Sequence, residues 1–94
     1  RDISLTIIKV DEQTGVSLPN ATFDVFADGK LITSVTTNDN GEARVTGIKK
    51  EAYIEIVETA APAGYVLDIR SANPISWRWG SRHTRTFERS YPRL

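Results

Sequence analysis

The stretch YIEIVETAAPAGY, residues 53–65, decides the fold because it joins a strand pattern to a loop rich in Ala, Pro and Gly. Ile54 and Ile56 share one face and alternate with other residues, which is typical of a half-buried β-strand. The next residue on that face is Glu58, directly before the loop. A carboxylate that continues an apolar face either extends to water from the strand end or has a partner elsewhere in the chain.

A matching charge continues an apolar face near the N-terminus. In ISLTIIKV, residues 3–10, the side chains of Ile3, Leu5 and Ile7 share one face, and Lys9 is the next residue on it. Two interpretations are open. Each charge can lie at a strand end and extend to water. Alternatively, the two charges form a buried pair, since an isolated buried charge is very costly.

A buried lysine–glutamate pair has reactive chemistry. Burial lowers the pKa of a lysine and raises that of a glutamate, so a neutral amine can lie beside a protonated carboxyl group. The amine is then a nucleophile, and the acid can polarise a nearby carboxamide and transfer protons. With an Asn or Asp side chain in reach, such a pair can form an isopeptide bond.

The composition excludes most catalytic and cofactor chemistry. The 94 residues predict a single domain over 1–94, with no cysteine, one histidine and no glycine-rich phosphate loop. We therefore expect no cofactor, no metal site, and no enzyme activity beyond a single-turnover self-reaction. No apolar run approaches the roughly 20 residues of a membrane span, so we expect no membrane contact.

The charge is balanced but unevenly distributed. Residues 1–69 carry six basic and eleven acidic side chains, whereas residues 70–94 carry six arginines and one glutamate. No nucleic-acid-binding motif accompanies these arginines, and the acidic part of the domain is their nearest counter-charge. The sequence therefore predicts no nucleic-acid partner.

Short alternating runs between turn signals predict an all-β sandwich of about seven strands, with the first and last strands adjacent. The turns DGK (28–30) and NDNGE (38–42) are both predicted to be hairpins. The strands are expected over residues 3–10, 21–27, 31–37, 42–48, 52–58, 73–79 and 84–91. The expected core residues are Ile3, Leu5, Ile7, Phe23, Val25, Ile54, Ile56, Trp77 and Phe87.

Four segments together resemble one known family. LTIIKVDEQTG, LPNATFDVF, NDNGEARVTGI and YIEIVETAAPAGYVLD are similar to the collagen-adhesin B-type domain (CnaB), also called the SpaA-type pilin domain. The resemblance is strongest over residues 4–68, and ETAAPAGY is similar to the family's E-box, Glu-Thr-x-Ala-Pro-x-Gly-Tyr. It implies a two-layer Greek-key β-sandwich of transthyretin-like, inverse-immunoglobulin topology.

The resemblance also implies a site. Many members join a lysine on the first strand to an Asn or Asp on the last, promoted by the E-box glutamate; Lys9 and Glu58 match the lysine and the acid. Residues 70–94 are divergent and Arg-rich: Arg89 stands where Asn is expected, and no Asn or Asp follows Asn73. We therefore expect an isopeptide-type site of Lys9, Glu58 and Arg89 without the bond, with Glu58 catalytic only if a bond forms.

By this resemblance, the chain is expected to be a structural stalk or spacer domain of a Gram-positive cell-surface adhesin or pilin. It would be extracellular and cell-wall-anchored, would present a distal adhesive region, and would contact neighbouring domains of the same protein. The alternative is a ligand-binding module whose Arg- and Trp-rich C-terminal region contacts a host extracellular-matrix protein or a glycan. Exposed Trp77 or Trp79 side chains would favour the alternative, and buried ones the stalk.

Overall fold

The computed structural model describes residues 2–11, 13–49, 51–62, 64–67, 75–78, 83–87 and 91–92. These residues form nine β-strands, seven of which have four residues or more. The part of the chain described here contains no helix long and apolar enough to cross a membrane. The strands are β1 (Asp2–Lys9), β2 (Thr22–Ala27), β3 (Lys30–Thr36), β4 (Glu42–Lys49), β5 (Tyr53–Ala60), β6 (Tyr65–Val66), β7 (Ile75–Arg78), β8 (His83–Phe87) and β9 (Tyr91–Pro92).

The long strands form two sheets, which confirms the predicted all-β sandwich. One sheet has the order β4-β1-β8, the other has the order β3-β2-β5-β7, and β6 pairs with β9 as a short separate ribbon. The alternation of β-branched and aromatic residues with polar ones suits this arrangement, because β2, β4 and β5 bury alternate residues between the sheets.

The core between the sheets contains the side chains that strand parity predicts. The predicted residues with described side chains are all buried: Leu5, Ile7, Phe23, Val25, Ile54 and Ile56. The side chains of Ile3, Trp77 and Phe87 lie outside the described residues. In the backbone register, Trp77 is opposite Ile54 and Phe87 is opposite Lys9.

The first strand and the last long strand are neighbours, as predicted. β1 and β8 pair in parallel, from Leu5 opposite His83 to Lys9 opposite Phe87. The predicted strand over residues 84–91 is divided between β8 and β9, and β9 pairs with β6 instead of continuing beside β1. Residues 88–90, including Arg89, lie outside the described residues.

One of the two predicted hairpins is correct and the other is wrong. The DGK turn joins the antiparallel strands β2 and β3, with Ala27 opposite Lys30. The NDNGE segment does turn, because Asn38 Oδ1 accepts hydrogen bonds from the N–H groups of Asn40 (2.9 Å) and Glu42 (3.1 Å). However, it connects β3 to β4, which lie in different sheets. Asn-Gly favours a chain reversal, but the tertiary contacts decide which strands pair.

Candidate functional site

The structure brings Lys9 and Glu58 together between the two sheets. Lys9 Nζ lies 3.3 Å from Glu58 Oε1, and the two side chains are 1% and 9% exposed. Lys9 ends β1 in one sheet, and Glu58 belongs to β5 in the other. Lys9 therefore does not extend to water from the end of its strand. Of the two interpretations, the structure agrees with a buried contact between Lys9 and Glu58.

Strand periodicity explains why two charges point into the core. Lys9 follows Leu5 and Ile7 on one face of β1, and both of these side chains are fully buried. Glu58 follows the core residues of β5 in the same way, and its partner in the β2 register is the fully buried Phe23. The surroundings are largely apolar, so the attraction between the two charges is less screened than it would be in water.

Two loops hold the backbone of Lys9. Its N–H donates to the carbonyl of Gly41 (2.9 Å), and its own carbonyl accepts from the N–H of Leu18 (2.8 Å). Gly41 has a φ of +76°, and a Cβ atom there would lie 2.7 Å from Ser17 Cβ and 2.9 Å from the nitrogen of Leu18. The absence of a side chain at Gly41 thus lets both loops close around Lys9, a role that the turn signal alone did not reveal.

A second, part-buried contact involves a residue just after β1, and it was not predicted. The Tyr65 hydroxyl donates to Asp11 Oδ2 at 2.5 Å, and the N–H groups of Gln13 (2.8 Å) and Thr14 (2.9 Å) donate to Asp11 Oδ1. Asp11 is only 6% exposed. The Tyr65 hydroxyl, helped by these N–H groups, lowers the pKa of Asp11, and the same hydrogen bond raises the pKa of Tyr65.

The other predicted site residues fall outside the described part of the chain. Arg89 and Trp79 are not described, and only the backbone of Trp77 is. Among the residues that are described, no three His, Cys, Asp or Glu side chains are grouped so that they could hold a metal ion. The described part of the site is the Lys9 amine 3.3 Å from a carboxylate oxygen of Glu58.

The fold and this site define a class of protein: a two-sheet, all-β sandwich with a buried lysine–glutamate contact between its sheets. The family model SpaA, described as a prealbumin-like fold domain, matches residues 3–73, and the chain belongs to this family. No curated protein matches the chain.

Solved structures of two backbone pilins and of one further bacterial protein share the fold. The TIE protein of Bacillus anthracis is 25% identical with a TM-score of 0.81, covering 97% of this chain and 17% of its own. The pilus 2b backbone protein of group B Streptococcus is 26% identical with a TM-score of 0.79, covering 98% of this chain and 42% of its own. The T6 backbone pilin of serotype M6 Streptococcus pyogenes, a modular three-domain protein, is 31% identical with a TM-score of 0.74. This last match covers 84% of the present chain and 16% of the pilin, so the chain spans less than half the length of each of these proteins.

Proposed function

We propose that this chain is a structural stalk or spacer domain of a Gram-positive cell-surface pilin or adhesin. In this role it is extracellular, belongs to a protein anchored to the cell wall, and holds a distal adhesive region away from the surface. The similarity to two backbone pilins supports the role, and so does the small share of each that the chain spans, since a spacer is one module among several. Its partners are then the neighbouring domains and other pilin subunits.

The observation that carries this proposal is the parallel pairing of β1 with β8. Parallel neighbours run in the same direction, so the chain enters β1 at one end of the sandwich and leaves β8 at the other. A force that pulls these two ends apart loads the five register pairs from Leu5–His83 to Lys9–Phe87 in shear, all at once. Bonds loaded together resist a higher force than bonds that are peeled open one at a time.

The ion pair extends this resistance across the core. Lys9 forms the last register pair of the β1–β8 ladder, and its side chain contacts Glu58 in the opposite sheet. We propose that this is the family's isopeptide-type site in a non-covalent form. Arg89 replaces the expected Asn, and its guanidinium offers donors for a carboxylate but no carbonyl for an amine to attack.

An intact mass tests the non-covalent site. A Lys–Asn isopeptide bond releases one ammonia, whereas a non-covalent site leaves the mass equal to that of the sequence. We expect the full mass. A deficit of one ammonia that Lys9→Ala abolishes would contradict the proposal and would mean that an asparagine reaches Lys9.

Single-molecule pulling in two directions tests the structural role. The chain has no cysteine, so engineered cysteines define the points of attachment. One variant is pulled from its two termini, which shears β1 against β8. The control is pulled from the N-terminus and Lys49→Cys; because Asp2 is opposite Lys49 in the antiparallel β1–β4 pair, this direction opens the ladder one pair at a time. We expect a higher rupture force from the termini at the same loading rate, and an equal or lower force would argue against a stalk.

A further inference from the structure

Two side-chain contacts lie close together at the end of β1. Asp11 follows Lys9 by two residues, and Tyr65 follows Glu58 by seven. Lys9 contacts Glu58, and Asp11 accepts the hydrogen bond from Tyr65. Both contacts therefore join the end of β1 to residues 58–65, which comprise the end of β5 and the turn that follows it.

Asp11 organises two turns with one carboxylate. Its Oδ1 accepts from the N–H groups of Gln13 and Thr14, which closes the turn after β1. Its Oδ2 accepts from Tyr65, whose own N–H donates to the carbonyl of Pro62 (3.0 Å) and closes the turn after β5. The two turns are therefore coupled through a buried carboxylate and a charge-assisted hydrogen bond, which is stronger than one between neutral groups.

Directly after Glu58, the described contacts are with β2: the Thr59 hydroxyl donates to the carbonyl of Thr22 (3.4 Å), and Ala60 pairs with Thr22. Thr59 and Ala60 are exposed, and the next strand, β6, has only the two residues Tyr65–Val66. A short exposed strand end opens easily unless side chains hold it. The hydrogen bond between Tyr65 and Asp11 is a further anchor of this segment, and it joins the segment to the chain two residues after Lys9.

We propose that Asp11 and Tyr65 are positioning residues that hold the turn after β5 against the end of β1 and thereby keep Glu58 in contact with Lys9. The proposal goes beyond the stalk role and does not depend on it. The competing possibility is that Asp11 serves only its own turn after β1, while Tyr65 contributes only to general stability.

Two conservative variants separate these possibilities. Tyr65→Phe removes one hydroxyl and keeps the ring. Asp11→Asn retains an Oδ1 acceptor for the N–H groups of Gln13 and Thr14, but it replaces the oxygen that accepts from Tyr65 by an amide nitrogen. The turn after β1 is therefore preserved in both variants. Tyr65→Phe removes the link between the two turns, and Asp11→Asn replaces the charge-assisted bond by at most a neutral one, in which the amide N–H donates to the Tyr65 hydroxyl oxygen.

The readout is the native-state acylation rate of the Lys9 amine in the full chain, followed by peptide mass mapping with a water-soluble activated ester. Lys9 is 1% exposed, whereas Lys30 is exposed and serves as the reference in the same molecule. Val45→Ala, a substitution in the core, is the control for acylation through global unfolding. The urea concentration is adjusted so that all variants are compared at the same free energy of unfolding. The NMR shifts of Lys9 Nζ and of the Glu58 carboxyl carbon report the contact in the folded state.

We expect Tyr65→Phe and Asp11→Asn each to raise the Lys9-to-Lys30 rate ratio about tenfold above the Val45→Ala control, as for the loss of a hydrogen bond to a charged group. Both variants should also shift the Lys9 and Glu58 resonances, and the double variant should show no further increase. The proposal is overturned if the Lys9 rate matches the Val45→Ala control, or if the two substitutions act additively. Failure here would leave the pulling result unaffected, so the two proposals can fail separately.

Discussion

Lys9 and Glu58 should differ in how well they tolerate replacement. Removing one partner of a buried ion pair typically costs about 3–5 kcal/mol, because the other charge stays in the core. Glu58→Ala leaves the ammonium group of Lys9, which is 1% exposed, without the carboxylate 3.3 Å away, so we expect a loss of that size. Lys9→Met keeps an apolar chain of similar length and removes the charge, so we expect little loss of stability or even a gain.

Urea denaturation of the two variants measures this difference in the free energy of unfolding. Lys9→Ala is a useful third variant, because it removes both the charge and the apolar stem. Equal losses for Lys9→Met and Glu58→Ala would show that the lysine is as necessary to the core as the glutamate.

Ile56 tests the assignment of the buried face. Its side chain is 1% exposed in the core of β5, so Ile56→Ala should lower the free energy of unfolding by about 2–5 kcal/mol. The control is Val57→Ala on the opposite face, where the side chain is only half-buried and the loss should be clearly smaller. A loss below about 0.5 kcal/mol at Ile56 would mean that the buried face is misassigned.

The contacts that could be predicted from the sequence are those that follow a strand period. Lys9 and Glu58 extend runs of apolar residues at every second position, and the burial of those runs fixes the direction of the charges. Asp11 and Tyr65 lie just outside the long strands, where no period relates a residue to a face. Their contact depends on how two turns meet in space, which the local sequence does not specify.

At the level of the elements, Gly41 tests how the loops hold Lys9. Gly41→Ala forces a side chain into the left-handed region at φ +76° and against Ser17 and Leu18. Gly15→Ala is a matched control, because Gly15 has the same φ of +76° but no atom within 4 Å of the new Cβ. The backbone conformation alone costs about 1–2 kcal/mol in each variant. We expect Gly41→Ala to be the more destabilising of the two in thermal unfolding, whereas equal losses would show that the loops adjust freely.

The link between the two turns should make stability depend on pH. The Tyr65 hydroxyl lowers the pKa of Asp11, so the stabilisation is present above the unfolded-state value of about 3.9 and is lost as the pH falls through the lower folded-state value. Asp11 raises the pKa of Tyr65, so at the alkaline end the stabilisation is lost as the pH rises above about 10 through the higher folded-state value. The stability difference between the wild type and Tyr65→Phe should thus be greatest between these limits.

Urea midpoints from pH 2 to 11 test this dependence. The difference between the wild type and Tyr65→Phe should narrow at both ends of the range. In the Asp11→Asn background, the loss of stability caused by Tyr65→Phe should not vary with pH at the acid end. A constant difference across the whole range in the wild-type background would rule out the linkage.

The NDNGE segment shows where element-level prediction stops. Asn38 and Gly41 form the turn that their side chains and backbone favour, with the Gly41 N–H donating to the Asn38 carbonyl at 2.8 Å. Turn residues determine where the chain reverses. The burial of the apolar face of β4 determines which sheet that strand joins. The strands on either side were therefore predicted correctly, but their pairing was not.

At the scale of the whole molecule, the two-layer sandwich was predictable because the sequence patterns agree with one another. Alternating strands, turn residues between them and the E-box resemblance all indicate one architecture. The match to the SpaA family over residues 3–73 indicates the same architecture. The adjacency of the first and last strands was predicted, together with termini at opposite ends of the domain. The parallel register of β1 and β8, which gives the stalk proposal its mechanical basis, comes from the structure.

The most direct test of a non-covalent, force-transmitting domain is the force–extension curve of one chain pulled from its two termini. We predict a main rupture at a higher force than in the Lys49→Cys direction, followed by release of nearly all 94 residues, or about 300 Å of extended chain. A covalent bond between Lys9 and the last strand would lock the residues between them. Release of only a few tens of ångströms, or a rupture force no higher than in the Lys49→Cys direction, would contradict this prediction.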